Sequence, residues 1–350
     1  MARAFVIRAL LFFRHSDLVI SHSNHMAFPF NFFIAAFAGA FLTTLLALPL
    51  WRKWCQCVNL VDDPGQRKIH DAPVPLAGGL AVLTGILLPL AAGAISLKLG
   101  VNIASQTHLI AHGLNRRAME LAVIAFGAIA MVVLGWLDDK QELKPLPKFI
   151  GQLFIAVLVA AACKRITLFV PNVTFSYAVT ILWVLTVVNA FNFMDNMNGL
   201  CAGLGAIGAW QFAVIAAGDG EYLVALIAFL ACGALVGFLP YNFPNARAFL
   251  GDAGSHLVGY LLAVMAILPH FYTKLNPRPL AVLSPLFVLA IPLADLVWVV
   301  ILRTRAGKPF WIGDTNHLSH RLVRTGLSRT RAVLLIWLVA AAIGSIAWWL

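Results

Sequence analysis

Charge is scarce in this chain. Only 11% of its 350 residues are Asp, Glu, Lys or Arg, and the acids number 14. That is too little polar surface to coat a water-soluble domain of this length, so a soluble globule is excluded. Low-complexity tracts, clear internal repeats and a polar domain are also missing. Cysteine is sparse and odd in number, at five, which argues against a disulfide framework. Cys55 and Cys57 form a C-x-C without a second pair, so a closed zinc site lacks ligands. Cys163, Cys201 and Cys232 sit in apolar runs, where the thiol serves as a small hydrophobe. No basic stretch is interleaved with aromatics on a polar surface, which leaves nucleic acid without a footprint. The net charge of +11 belongs instead to loops facing anionic lipid.

Hydrophobic residues make up 61% of the chain. Apolar runs fall at 30–51, 76–96, 119–137, 148–163, 175–191, 199–217, 222–240, 254–270, 280–302 and 331–350. Runs of this kind predict an all-α, polytopic membrane protein with about ten transmembrane helices. The loops at 52–75, 138–147, 192–198, 241–253 and 303–331, with Lys148 at a boundary, carry 15 Lys and Arg against 7 on the other side. The richer set is expected in the cytoplasm, which puts the N-terminus outside. Residues 1–29 read as an N-terminal extension, with Arg3, Arg8 and Arg14 around a short apolar stretch. It has no evident small-residue cleavage site, and Met26 is a candidate start. Residues 30–350 read as one multi-span domain.

Nine of the fourteen acids lie in the basic loops. Carboxylates gathered beside cations at one membrane face suit a Mg²⁺–phosphate site, because hard Mg²⁺ takes a few carboxylates plus substrate oxygens. Five segments carry this chemistry. Asp62-Asp63-Pro64 leads to Arg67-Lys68-Ile69-His70, and a Gly78-Gly79 pair then opens a span, where backbone amides are expected to approach phosphate; an ordinary positive-inside loop is the competing reading. Asp138-Asp139 ends a span, and two adjacent carboxylates there must point apart, leaving one for metal and one as a base or orienting group. Asn189, Asn192, Asp195 and Asn198 recur every three residues as a polar helical stripe suited to a base and a ribose, or to interhelical hydrogen bonding. Gly251-Asp252-Ala253-Gly254-Ser255 offers a carboxylate on flexible backbone at a span entrance. Asp314 to Arg321 contains His317 and His320 in the most basic loop, near Arg303, Arg305, Lys308 and Arg324. Phosphate contact fits that loop better than zinc, since no third ligand is apparent.

In this order, the five segments resemble the polyprenyl-phosphate N-acetylhexosamine-1-phosphate transferase family, from about Leu60 to Arg331. The resemblance implies transfer of a sugar-1-phosphate from a UDP-N-acetylhexosamine to undecaprenyl phosphate, with release of UMP. It implies Mg²⁺, with Mn²⁺ as an alternative, a bacterial inner membrane with the site facing the cytoplasm, and a homodimer as a candidate assembly. By the same resemblance, Asp138 and Asp139 match the paired acids, one of them a base, and Asp139 joins Asp252 as a candidate metal ligand. Asn192 and Asp195 match the nucleoside pocket, and Phe249 the aromatic stacked on uracil. Lys68 and His317 match phosphate-holding positions, and His317 is counted with the catalytic residues. His70, Arg303 and His320 join the candidate substrate contacts. Asp295, inside the ninth run, also fits the pattern without an evident role.

Two positions depart from the family. Asn198 stands where a second Asp is usual, and Ser319 replaces the middle His of a His-x-His-His motif. The Arg67-Lys68-x-His70 element with Pro75-x-x-Gly78-Gly79 resembles the N-acetylglucosamine-1-phosphate branch, which primes envelope glycans such as O-antigen or teichoic acid. The phospho-N-acetylmuramoyl-pentapeptide branch is the alternative within the family. A secondary transporter is the alternative outside it, and Asp295, set inside an apolar run, is the acid that would suit it.

Overall fold

The computed structural model describes residues 28–63, 72–99, 113–163, 165–269, 278–309, 311 and 314–350. The fold is all-α, as expected. The long helices are α1 (Phe30–Cys57), α2 (Gly78–Lys98), α3 (Ala118–Gln141), α4 (Pro145–Ala162), α5 (Val173–Met194), α6 (Leu200–Gly218) and α7 (Tyr222–Asn242). Then come α8 (Gly251–Met265), the short α9 (Ser284–Val288), α10 (Ala290–Arg305), α11 (Leu318–Arg324) and α12 (Arg329–Gly344). Local sequence sets several of the starts. Pro145 opens α4 where its missing N–H costs nothing. The Asn172 side chain caps α5 by accepting from the Phe175 N–H at 3.0 Å. One two-residue hairpin, β1 (Val61–Asp62) against β2 (Val74–Pro75), interrupts the helical pattern.

Eight helices among the described residues are long and apolar enough to cross a membrane, and nine if one bent pair counts as a single span. The expectation of ten continuous spans is corrected at two places. The 280–302 run is broken: Pro279–Val288 and Ala290–Arg305 meet at 69°. Pro292 explains the break, because it lacks an N–H and its ring would clash with the Val288 carbonyl one turn back. The 254–270 run forms α8, only 15 residues long. At 1.5 Å per residue that is about 22 Å, short of the ~30 Å hydrocarbon layer.

The length of α8 follows from its place in the fold. It packs against α2, α3, α5 and α6, and every residue from Gly251 to Met265 is buried except the half-buried Asp252. Screened from lipid by other helices, it need not match the bilayer. Glycine permits the close approach: a Cβ on Gly78 would lie 2.7 Å from the Leu250 Cα, and one on Gly254 would meet the Gly79 Cα at 3.0 Å. With helices crowded around it, α8 can carry a polar N-terminus into the site without lipid contact.

Candidate active site

The segments flagged in the sequence meet at one end of the bundle. The Phe249 N–H donates to the Pro75 carbonyl at 3.0 Å, and the Gly78 and Gly79 N–H groups donate to the Phe249 and Leu250 carbonyls at 2.9 and 3.1 Å. The last two bonds overturn one expectation. The Gly78-Gly79 amides are spent on the backbone that leads into α8, so they do not cradle a phosphate; the glycines serve close packing instead.

Asp138 ends α3. Its Oδ1 accepts from the Leu143 N–H at 2.9 Å, across a turn in which Glu142 has a left-handed φ of 47°. Its Oδ2 lies 2.6 Å from the Lys148 ammonium, in the first turn of α4. That ammonium also reaches Asp252 Oδ2 at 2.7 Å. Asn192, near the C-terminal end of α5, donates to Asp252 Oδ1 at 2.7 Å and to Ser255 Oγ at 3.0 Å. Four helices thus contribute one side chain each to a centre built on Asp252. The Asp252 side chain keeps 32% of its surface open, against 9% for Asp138, so the open group at the centre is Asp252.

The paired acids point apart, as adjacent positions at a helix end require. Asp139 Oδ1 accepts from the Asp252 N–H at 2.8 Å, and Oδ2 from the Ala253 N–H at 3.1 Å. Asp139 therefore caps α8, placing a carboxylate where the free amides and the positive end of the helix dipole lie.

A second cluster lies alongside. His317 Nδ1 is 2.6 Å from Asp295 Oδ2, and the Leu318 N–H donates to Asp295 Oδ1 at 2.6 Å. Asp295 comes from α10 just past the proline break and meets His317 and the Leu318 amide at the same end of the bundle. Arg303 is buried. It pairs with Asp314 at 3.2 and 3.3 Å and covers the Phe193 ring at 4.8 Å. The Ser319 hydroxyl, at the position where the resemblance implies a histidine, donates to Asn196 Oδ1 at 2.6 Å. Residues 192–196 join the two clusters: Asn192 binds the first, while Phe193 and Asn196 touch the second.

Outside the spans the local electrostatics are uneven. Burial, then the nearby charges of Asp252 and Asp139, push Asp195 well above the ordinary carboxylate value. Burial opposes ionisation of Asp314, but hydrogen bonds from Arg303 and Asn316 pull it down to about 2. Burial lowers His320, and the His317, Arg324 and Arg329 charges lower it further.

The polar stripe from Asn189 to Asn198 is helical only in its first half. α5 stops at Met194; Asp195 follows it in non-helical geometry, and Asn198 donates to the Pro244 carbonyl at 3.1 Å. Phe249 is half-buried between β2 and α8. Lys68 and His70 lie outside the described residues. Cys55 is buried and Cys57 exposed, so the C-x-C pair does not converge. The residue that sequence reasoning missed is Lys148. Its signal was a lone cation in the first turn of an apolar run, ten positions after an acid, where it counted only as loop charge.

Fold and site define the class: a polytopic helical membrane protein with carboxylates, a lysine and amides gathered at one mouth of the bundle. The model for glycosyl transferase family 4 matches residues 121–270, from α3 through α8. A probable undecaprenyl-phosphate N-acetylglucosaminyl 1-phosphate transferase of Bacillus subtilis is 31% identical over 87% of this chain and 81% of its own length. A decaprenyl-phosphate N-acetylglucosaminephosphotransferase of Mycobacterium tuberculosis is 35% identical over 80% and 73%. The undecaprenyl-phosphate alpha-N-acetylglucosaminyl 1-phosphate transferase of Escherichia coli is 28% identical over 87% and 80%. The chain belongs to this family of polyprenyl-phosphate N-acetylhexosamine-1-phosphate transferases.

Proposed function

We propose that the protein transfers N-acetylglucosamine-1-phosphate from its UDP-sugar to undecaprenyl phosphate, releasing UMP, at the cytoplasmic face of a bacterial inner membrane. The observation that carries this reading is the gathering of Lys148 and Asn192 on the partly open Asp252 carboxylate, with Asp138 joined through Lys148, from four helices in all.

The reaction brings two phosphates together, so the site must gather positive charge. The donor set fits Mg²⁺. Asp138 Oδ2 and Asp252 Oδ2 already converge on one cation, the Lys148 ammonium, at 2.6 and 2.7 Å, and hard oxygens of that kind suit it. Among the described residues no three His, Cys, Asp or Glu side chains gather as a metal cage, which leaves room for substrate oxygens. Asp252 and Asp138 are the residues that would hold the ion. Both Asp139 oxygens are taken by the amides of α8, so Asp139 acts by positioning Asp252. When bound, Mg²⁺ supplies neutralisation of the pyrophosphate charge.

Lys148 keeps two close carboxylates from repelling and adds a cation at the phosphate end. Asn192 fixes the Asp252 rotamer through Oδ1. Asp295 accepts from the Leu318 amide and engages His317 Nδ1, which leaves Nε2 as the ring atom for a phosphate. The lipid phosphate has a second pKa of about 6, as a phosphoserine does. It is largely deprotonated at neutral pH, so the chain contributes position and charge more than a base.

An exchange assay in membranes tests the reading: radiolabelled UMP should enter UDP-N-acetylglucosamine only when undecaprenyl phosphate is present. Exchange with UDP-N-acetylmuramoyl-pentapeptide instead would move the protein to the peptidoglycan branch. Absence of exchange with every UDP-sugar would overturn the transferase reading.

A further inference from the structure

One helical turn below the Asp252 centre lies a second polar layer, on the same three helices. Gln152 follows Lys148 by four residues on α4, His256 follows Asp252 by four on α8, and Asn189 precedes Asn192 by three on α5. At these spacings each residue stands beneath its partner on the same helix face. Two of its three members are closed from solvent, Gln152 at 1% and His256 at 0% exposure, and Asn189 is half-buried.

Its hydrogen bonds have a definite direction. Asn189 Nδ2 donates to the Leu185 carbonyl and to Gln152 Oε1, both at 2.8 Å. With its oxygen taken, Gln152 has Nε2 left to donate to His256 Nε2, at 3.3 Å. His256 accepts there and so carries its proton on Nδ1, which has no partner. The chain runs α5 to α4 to α8. It joins the three helices that supply Asn192, Lys148 and Asp252.

Interhelical polar contacts of this sort cost desolvation unless they are satisfied, and an all-leucine layer would pack as well. Here the layer leaves one donor unpaired, so stability alone is a poor account of it. We propose that Gln152 and His256 are positioning residues that set the rotation of α4 and α8, and thereby hold Lys148 on Asp252. A rotation that parts Gln152 from His256 swings Lys148 off Asp252, because the two layers turn with the same rigid helices. The proposal rests on the transferase reading. Wild-type exchange tests that reading, and only ratios of variant to wild type test this one.

The experiment uses full-length protein in detergent, measuring kcat, KM and thermal midpoint for Gln152→Leu, His256→Leu and the double variant. Each single variant should lose kcat by about tenfold, as misplacement of a reacting group does, with KM for the UDP-sugar within about twofold of wild type. The double variant should be no worse than the poorer single, because both break one bond. Multiplicative losses, or losses carried by KM, would overturn the proposal, as would a lowered midpoint with kcat unchanged. If the leucine variants do not fold, His256→Gln and His256→Asn decide. Gln can present an acceptor at the reach of Nε2 and should keep most of kcat, whereas Asn is too short and should not. Equal kcat in the two would also overturn the proposal.

Discussion

Gly251 answers two demands at once. Its φ of 72° lies in the left-handed region, and a Cβ there would stand 2.7 Å from Asp139 Oδ2. A side chain would add about 1–2 kcal/mol of backbone strain and push the capping carboxylate off the amides of α8. Gly251→Ala should therefore lower both the melting temperature and turnover, and a variant with wild-type activity would remove Asp139 from its positioning role. Burial and the charges of Asp252 and Asp139 raise the Asp195 carboxyl, which gives a signed pH prediction. Its native value is raised above the ordinary 3.8, so in that window the folded state binds more protons than the unfolded one, and stability falls as pH rises. Asp195→Asn should raise the thermal midpoint at pH 8 and flatten its decline between pH 5 and 8, while activity drops. A midpoint unchanged at both pH values would contradict the assignment. Phe249 is the predicted uracil platform. Base–aromatic stacking is worth roughly 1–3 kcal/mol, so Phe249→Ala should raise KM for the UDP-sugar about five- to hundredfold. An unchanged KM would remove it from the pocket. At this scale sequence was informative where a motif was unusual, as with Gly251-Asp252. It was silent on Lys148, because a lone Lys in a basic loop looks the same whether it is solvated or buried between two acids.

Among the elements, periodicity revealed the apolar runs but not how each would be used. The 280–302 run satisfies every hydropathy criterion, yet Pro292 divides it, and the division decides where Asp295 goes. A single carboxylate then ties the bent helix to the late loop, through His317 Nδ1 and the Leu318 amide. Replacing Asp295 by Asn leaves only one acceptor for two donors and frees the imidazole to change tautomer. Turnover should fall about 10- to 100-fold, on the scale of a displaced catalytic group, while insertion stays intact. Wild-type turnover in Asp295→Asn would show that His317 needs no orienting partner. The run that became α8 misled in the opposite direction. It was apolar enough to count as a span, but a helix covered by its neighbours is relieved of the bilayer's length requirement, and one sequence does not show which helices surround it.

For the molecule as a whole, the proposed cytoplasmic site rests on a charge bias for its side of the membrane and on hydrogen bonds for its segments sharing one face. The excess of 15 Lys and Arg over 7 predicts that one set of loops faces the cytoplasm. Hydrogen bonds separately tie those loops together: Asp139 to the start of α8, Phe249 to β2, Ser319 to Asn196, and Asp295 to His317. If one of these segments lay across the bilayer from the rest, its bonds would have to span about 30 Å of hydrocarbon. Orientation of any one loop therefore orients all of them, although α8 is short and the 279–305 segment is bent. Reporter fusions after Lys140 and after Arg305 should both read cytoplasmic. Two periplasmic readings would keep the assembled site and invert the protein, which would contradict the proposed use of a cytoplasmic UDP-sugar. One reading on each side would be the more damaging result, because the Asp138–Lys148–Asp252 centre and the Asp295–His317 pair then could not share residues 192–196, and the site would come apart.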